Sequence, residues 1–414
     1  MNFNCMVAQS GGPTAAINAS LAGVIQGVID SSCYDTVYGS INGIQGVIGN
    51  NFLNLSKKAS TDSFIERLTA TPAMYLGSCR FRLPDFQDDE ELYRIIFDRF
   101  AEYNIGAFFY IGGNDSMDTV AKLSAYAEKI NSSIKIAGIP KTIDNDLVIT
   151  DHTPGFGSAC KYLASSIREI AYDTYIYALP SLTIIEIMGR DAGWLTAASA
   201  LARNDFSPAP HLIYLPEVPF STERFIEDIK KVQEKYCNII VAVSEGIRDE
   251  NGNYLSATTA AADKFGHAQL SGTGKCLEHI VKERLSIKVR SIELNVLQRC
   301  AGHLSSKTDL DESFALGRAA VGFTADGLTG FMATINRLSN TPYTTEISHA
   351  PVSEIANLAK DVPLEWITPE GNDVTREAIE YIKPLIVGEM PCYTKEGVVD
   401  YLDISHLFHT ADNS

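Results

Sequence analysis

Short apolar runs alternate along this chain with longer stretches in which apolar side chains recur at helical spacing. The runs Cys5–Gln9, Gly106–Ile111, Ile134–Ile139, Ser181–Ile187, Leu212–Leu215, Asn238–Val243 and Val289–Leu297 read as strands. The stripes Ala15–Ile29, Met117–Ile130, Ala192–Ala202, Arg224–Tyr236 and Leu270–Leu285 read as helices. Strand–helix alternation of this kind implies parallel sheets covered on both faces. The expected fold class is therefore α/β, with parallel-sheet cores and helices on both faces. From about Thr341 onward the pattern loosens into an extra, partly helical region. There are no low-complexity segments and no short-period repeats.

Candidate chemistry collects where three of these strands end. Pro140-Lys141-Thr142-Ile143-Asp144-Asn145-Asp146 follows the run Ile134–Ile139. It sets two carboxylates two residues apart, with a hydroxyl and an ammonium just before them. Open α/β sheets bind ligands at the carboxyl ends of their strands. The set offers a general base, a hard oxygen ligand for Mg²⁺ and a cation for phosphate. The same residue types are also ordinary turn formers. Gly112-Gly113-Asn114-Asp115-Ser116 and Ser10-Gly11-Gly12-Pro13-Thr14 each join a strand to a helix. Glycines there let backbone N–H groups approach an anion at a helix N-terminus. Either turn alone is equally a structural turn. All three together point to a phosphate site built from several strand ends.

Composition narrows the function classes. The 414 residues suggest two or three domains, and the net charge of −17 with no basic run argues against a nucleic-acid partner. Such a surface repels a polyanionic substrate, so a phosphate site must concentrate its cations locally. Arg80, Arg82, Lys141, Arg190, Arg290 and Arg299 lie in the segments that carry the chemistry. Eight scattered cysteines without a CxxC pair read as reduced thiols. No apolar run approaches the ~20 residues of a spanning helix, and the N-terminus lacks the pattern of a signal peptide. A soluble cytoplasmic enzyme without a membrane partner is expected. Ser271-Gly272-Thr273-Gly274-Lys275 lacks the flanking residues of a nucleotide-binding loop, since Gln269 and Cys276 stand in their place. No GxGxxG follows a strand, and the histidines, His152, His267 and His303 among them, show no metal-binding spacing.

The segments Ser10–Pro13, Leu76–Phe81, Gly112–Ser116, Pro140–Asp146, Ile185–Arg190, Pro216–Val218 and Gln298-Arg299 resemble the bacterial-type phosphofructokinase family, in its pyrophosphate-dependent branch. The resemblance spans about residues 1 to 330. It implies two Rossmann-like domains with the active site in the cleft between them. Residues 1–155 and 299–340 would form the donor-binding domain, 156–298 the sugar-phosphate domain and 341–414 a C-terminal extension. It also implies roles. Asp144 matches the general base for the 1-hydroxyl of fructose 6-phosphate, and Thr142 a sugar contact beside it. Asp146 matches a Mg²⁺ ligand, as does position 114. Met188, Gly189 and Arg190 match the sugar-phosphate pocket and its charge stabilisation. Glu245 matches a holder of sugar hydroxyls, and Arg299 a ligand of the 6-phosphate. Arg290 matches an arginine that enters the neighbouring subunit's site, which implies a homodimer or homotetramer. Gly11, Gly12, Arg80, Gly113, Asn114, Asp115, Ser116 and Lys141 match the phosphoryl-donor side.

Some positions depart from the family pattern. Asp115 and Lys141 replace glycines of ATP-using members, which is the pyrophosphate-type pattern. Asn114 replaces a usual aspartate, Ser181 a second cross-subunit arginine, Val296 a histidine near the 6-phosphate, and Thr14-Ala15-Ala16 a usual Ala-Pro-Gly. An ATP-dependent phosphofructokinase, a sedoheptulose 7-phosphate kinase and a non-catalytic sugar-phosphate-binding subunit stay open as alternatives.

Overall fold

Two sheets carry the fold. The structure is a computed structural model that describes residues 3–61, 63–256 and 272–408. In chain order the strands are β1 (Phe3–Gln9), β2 (Tyr34–Ser40), β3 (Phe52–Asn54), β4 (Ile105–Gly112), β5 (Lys135–Pro140) and β6 (Ser181–Ile187). They continue as β7 (Leu212–Tyr214), β8 (Asn238–Ser244), β9 (Lys288–Glu293), β10 (Phe331–Asn340) and β11 (Tyr343–Pro351).

The larger sheet has the order β11-β10-β5-β4-β1-β2-β3. Its five inner strands run parallel, and β11 and β3 pair antiparallel at the edges. The chain passes from β1 to β2 on one side and returns to β4 on the other. That switch of direction opens a crevice at the carboxyl ends of β1 and β4. The smaller sheet, β7-β8-β6-β9, is parallel throughout. Its central strands β6 and β8 are buried along their whole length, as their apolar runs require.

Helices Ile17–Ser31 and Lys307–Ala325 lie side by side on the larger sheet. They touch backbone to backbone. A Cβ on Gly23 would come 2.0 Å from the Phe314 carbonyl oxygen, and one on Gly317 2.1 Å from that of Ser20. Helix Phe156–Tyr175 opens the crossing to the smaller sheet. Its N-terminus is held by a carboxylate from far along the chain. Asp309 accepts from Gly155 N at 2.8 Å and Ser158 N at 2.9 Å.

The segment after Thr341 differs from the sequence expectation. Tyr343–Pro351 is a full edge strand of the larger sheet, not part of an appended extension. One face of it is exposed, so its sequence alternates with polar residues and gives no apolar run. Residues beyond it are shared between the sheets. Ile355 packs in the larger sheet's core, whereas Val362, Ile367, Val374, Ala378, Ile382 and Leu385 pack with Phe156 and Trp194. The run Val289–Leu297 also ends early: β9 stops at Glu293, Asn295 takes a left-handed φ of 43°, and Leu297–Cys300 turns helical. The helix expected from Met117 starts at Asn114, and that expected from Ala192 is α-helical from Trp194 and 3-10 from Ser199. The expected start at Leu270, with Gln269 and His267, lies outside the described residues; the helix there runs Thr273–Arg284. Helices Phe156–Tyr175 and Lys307–Ala325 have no counterpart in the sequence reading. No described helix is long and apolar enough to cross a membrane. All eight cysteines are free.

The helix crossing yields a test. Gly23→Leu should cost about 2–3 kcal/mol by overpacking. Gly322→Ala, where a new Cβ meets nothing within 4 Å, should be neutral or stabilising by about 0.5–1 kcal/mol. Urea unfolding at fixed protein concentration reads both, and equal effects would contradict the close crossing.

Candidate active site

The carboxyl ends of the two sheets face each other across Asp144. From the larger sheet come the turns after β1 (Gly11, Gly12), β4 (Gly113 to Ser116) and β5 (Lys141 to Asp146). From the smaller come the turns after β6 (Met188 to Arg190) and β8 (Glu245). The charges of Lys141, Arg190 and Arg299 all act on Asp144, and so does its own hydrogen bond with Thr142.

The Asp-rich loop is held from beneath. Asp144 N donates to Thr142 Oγ1 at 3.1 Å, and Thr142 N to the Pro154 carbonyl at 3.1 Å. Asn145, fully buried, takes a left-handed φ of 54°. Its side chain accepts from Thr153 N at 3.0 Å and donates to the Tyr381 hydroxyl at 3.0 Å. Asparagine tolerates that conformation and spends its amide on the neighbouring backbone. The outcome is that Asp144 and Asp146 project on either side of a fixed residue.

Lys141 reaches back to the first turn. Its Nζ donates to the Gly12 carbonyl at 2.6 Å. A Cβ on Gly11 would come 3.1 Å from that Nζ, and one on Gly12 2.9 Å from an Arg299 guanidinium nitrogen. These glycines keep two cations against the backbone of one turn. Ser78 Oγ bonds the Gly11 carbonyl at 2.7 Å, bringing the exposed Arg80 segment alongside, and Arg80 acts electrostatically on Arg299. Gly112 admits Ser116 so closely that a Cβ there would sit 1.9 Å from its hydroxyl, which seats the start of helix Asn114–Lys129 on β4. Asp115 is exposed in that first turn.

Opposite, Gly189 N donates to Glu245 Oε1 at 3.3 Å, and Met188 N to Gln298 Oε1 at 3.4 Å. The turns touch, since a Cβ on Gly246 would lie 1.8 Å from the Arg190 carbonyl.

Burial dominates the electrostatics. It pushes the Asp144 carboxyl up, against the pull of Lys141, Thr142, Arg190 and Arg299. It pushes Asp146 up to about 7, with the adjacent Asp144 charge adding to the rise. Glu245 also rises to about 7, through burial first and then Asp144 and Glu186. Lys141 falls to about 8, for the same reason with opposite sign, while Asp144 resists the fall. Lys141, Asp144, Asp146 and Glu245 are all held short of water, so their charges act strongly on one another and on any polar group that enters the cleft.

Two sequence-picked residues stand elsewhere. Arg290 pairs with Asp173 at 3.3 Å on an exposed flank of the smaller sheet. The Asn114 amide is already engaged: its Nδ2 donates to the Leu358 carbonyl at 2.7 Å and its Oδ1 accepts from Asn357 N at 2.6 Å. That engagement takes up both ends of the Asn114 amide. Among the described residues no cluster of three or more His, Cys, Asp or Glu side chains forms a metal cage. Sequence reasoning missed Lys360, which bonds the Asp146 backbone and whose charge acts on its carboxylate. Nothing marks it in the sequence, because a lone lysine beside Asp361 reads as a solvated loop.

Such a site suits the movement of a phosphoryl group between anionic substrates, and that is the class of enzyme fold and site define. Comparison with known proteins narrows it. The phosphofructokinase pattern matches residues 4–323, and the chain belongs to that family. It is 38% identical over 410 residues to the pyrophosphate–fructose 6-phosphate 1-phosphotransferase of Methylococcus capsulatus, covering 98% of this chain and 96% of that one. The enzyme of the same name from Xanthomonas campestris is 39% identical over 409 residues, covering 98% and 97%. The crystal structure of the pyrophosphate-dependent phosphofructokinase from Marinobacter aquaeolei aligns with a TM-score of 0.86 at 35% identity, covering 96% and 95%.

The raised Glu245 carboxyl sets a pH signature. Its folded pKa lies above its unfolded value, so the folded state binds the extra proton and stability falls as pH rises from about 4.5 to about 7. Glu245→Gln should therefore gain little over wild type at pH 4.5 and about 1–3 kcal/mol at pH 8, without substrates. Urea unfolding at the two pH values measures this, and a gain larger at the lower pH would contradict it.

Proposed function

We propose that this chain moves a phosphoryl group from pyrophosphate to the 1-hydroxyl of D-fructose 6-phosphate, giving fructose 1,6-bisphosphate and phosphate, reversibly, in glycolysis and gluconeogenesis. The observation that carries the donor is the Lys141 ammonium on the Gly12 carbonyl, a buried cation in a turn where ATP-using members have glycine. Pyrophosphate has no base or ribose and needs phosphate contacts only.

In this reading Asp144 takes the proton of the 1-hydroxyl. Its raised proton affinity suits a base working near neutral pH. Thr142 holds it and lies beside the reacting hydroxyl. Glu245 and the turn Met188-Gly189 orient the sugar, with Glu245 accepting hydroxyls. Arg190 and Arg299 neutralise charge on the transferred group and the 6-phosphate, for which a planar guanidinium is suited. Gly11, Gly12, Arg80, Gly113, Asp115, Ser116 and Lys141 line the donor end. Positioning and charge supply most of phosphoryl-transfer catalysis, and desolvated groups are fixed in place before substrate arrives.

Mg²⁺ fits the donor end. Asp146 is a hard oxygen donor beside Asp144, and the two buried carboxylates repel until a cation or proton intervenes. Mg²⁺ commonly uses one or two carboxylates plus substrate phosphates, which suits a site without a protein cage. When bound it would screen pyrophosphate oxygens. Arg290 would serve a neighbouring subunit in a homodimer or homotetramer. In support, it lies on the flank with exposed Tyr172, Ile176 and Leu179. In this reading the reaction would run in the cytoplasm, where sugar phosphates are made and used.

The deciding experiment compares pyrophosphate with ATP as donor at equal Mg²⁺. Pyrophosphate should win, and preference for ATP would overturn the reading. Asp144→Ala should lower kcat by about 10²–10⁴ with fructose 6-phosphate binding little changed. Near wild-type turnover would remove Asp144 from the base role. Asp115→Gly should raise kcat/KM for ATP by at least about tenfold, because it removes a like charge near the phosphates. Unchanged ATP use in the folded variant would show that Asp115 does not select the donor. Turnover of sedoheptulose 7-phosphate above that of fructose 6-phosphate would shift the acceptor, and no turnover at all would favour a binding subunit.

A further inference from the structure

The segment from Ile355 to Val362 is a strap between the two sheets. Ile355 is buried in the core of the larger and Val362 in that of the smaller. One end is tied to the start of helix Asn114–Lys129 through the Asn114 amide, and Asn357 Nδ2 donates to Asp118 Oδ1 at 3.0 Å. At the other end Trp194 Nε1 donates to the Lys360 carbonyl at 3.0 Å. Val362 N donates to Glu217 Oε1 at 3.0 Å, an oxygen that also accepts from Gly193 N at 2.7 Å.

Lys360 sits in the middle and grips one loop at both ends. Its backbone N donates to the Asp146 carbonyl at 2.8 Å. Its Nζ donates to the Thr150 carbonyl at 2.9 Å and the Asp151 carbonyl at 2.6 Å. These bonds bracket Ile149, whose φ is 63°. A β-branched residue adopts that left-handed conformation only where its surroundings impose it. The Ile149 side chain is 48% exposed, so its own packing does not impose it. Thr150 Oγ1 accepts from Ile335 N at 3.0 Å, which anchors the far end of the loop to β10.

We propose that Lys360 is a positioning residue: by clamping residues 146–151 in a strained conformation it fixes Asp146 at the phosphoryl-donor end of the cleft. This rests on the reading of Asp146 as the carboxylate that meets the Mg²⁺-bound donor. The sugar-binding groups Met188, Gly189 and Glu245 stand on other strands, so loss of the clamp should act on one substrate only.

The test uses the full-length protein. In Lys360→Met without metal or substrates, amide hydrogen exchange over residues 147–151 should speed up at least tenfold. KM for magnesium pyrophosphate should rise at least fivefold while KM for fructose 6-phosphate stays within twofold. Lys360→Arg, which keeps a cation able to reach both carbonyls, should exchange within threefold of wild type. Ile149→Gly removes the backbone cost, so the double variant Lys360→Met with Ile149→Gly should regain slow exchange and the wild-type KM. If Lys360→Met alone does not fold, the same second substitution should restore folding. Unchanged exchange in folded Lys360→Met, an equal rise in both KM values, or no rescue by Ile149→Gly would each overturn the proposal. Asp146→Asn with an unaltered Mg²⁺ requirement would instead sink the metal assignment, while exchange and rescue, read without metal, would still decide the clamp.

Discussion

Charge held away from water is the constraint on which the rest depends. Asp144 and Asp146 stand two residues apart, both buried, and burial strengthens each one's hold on its proton, with the Asp144 charge adding to the rise at Asp146. Unpaired buried charge is costly, and here Lys141, Arg190 and Arg299 offset it from three different elements. Lys141 and Arg299 are themselves desolvated, so the charges on both sides of the balance are held short of water. The site spends folding stability on groups held away from water.

This balance explains why two sheets are needed. A single sheet's strand ends would bring Lys141 and the glycine turns to Asp144, but Arg190 and Glu245 come from β6 and β8. The close approach of Gly246 to the Arg190 backbone, and of Gly12 to Arg299, lets side chains from separate sheets share one small volume. Helix Phe156–Tyr175 joins the halves, with its N-terminus held by Asp309 from helix Lys307–Ala325. The geometry of the cleft and the relation between the two sheets are thus set by the same contacts.

Much of this was legible in the sequence, for identifiable reasons. Buried parallel strands such as Ser181–Ile187 and Asn238–Ser244 are apolar throughout and announce themselves. Gly11, Lys141, Asp144 and Arg190 sit directly after such strands, where turn residues with reactive groups are conspicuous. What escaped was set by tertiary contact. The edge strand Tyr343–Pro351 has an exposed face and no apolar run. The helix Lys307–Ala325 mixes small and charged residues because it packs closely on Ile17–Ser31. Asn114 looks like a metal-side residue until the Asn357-Leu358 backbone is seen occupying its amide. Lys360 has no local pattern, since its meaning lies in carbonyls two hundred residues earlier.

The cores also draw on both ends of the chain, and this bears on how the protein is made. The layer on one face of the larger sheet combines Cys5 to Ile139 with Leu316 to Ile335, and the other face adds Met332 to Ile355. The core around Phe156 and Trp194 is completed by Val362 to Leu385. Among the described residues, the layer from Leu182 to Val289 draws on that span alone. A ribosome releasing this chain in order would therefore expose unfinished apolar faces until Leu385 had emerged, with one self-contained layer folded before then. Vectorial synthesis leaves the active cleft among the last features to form.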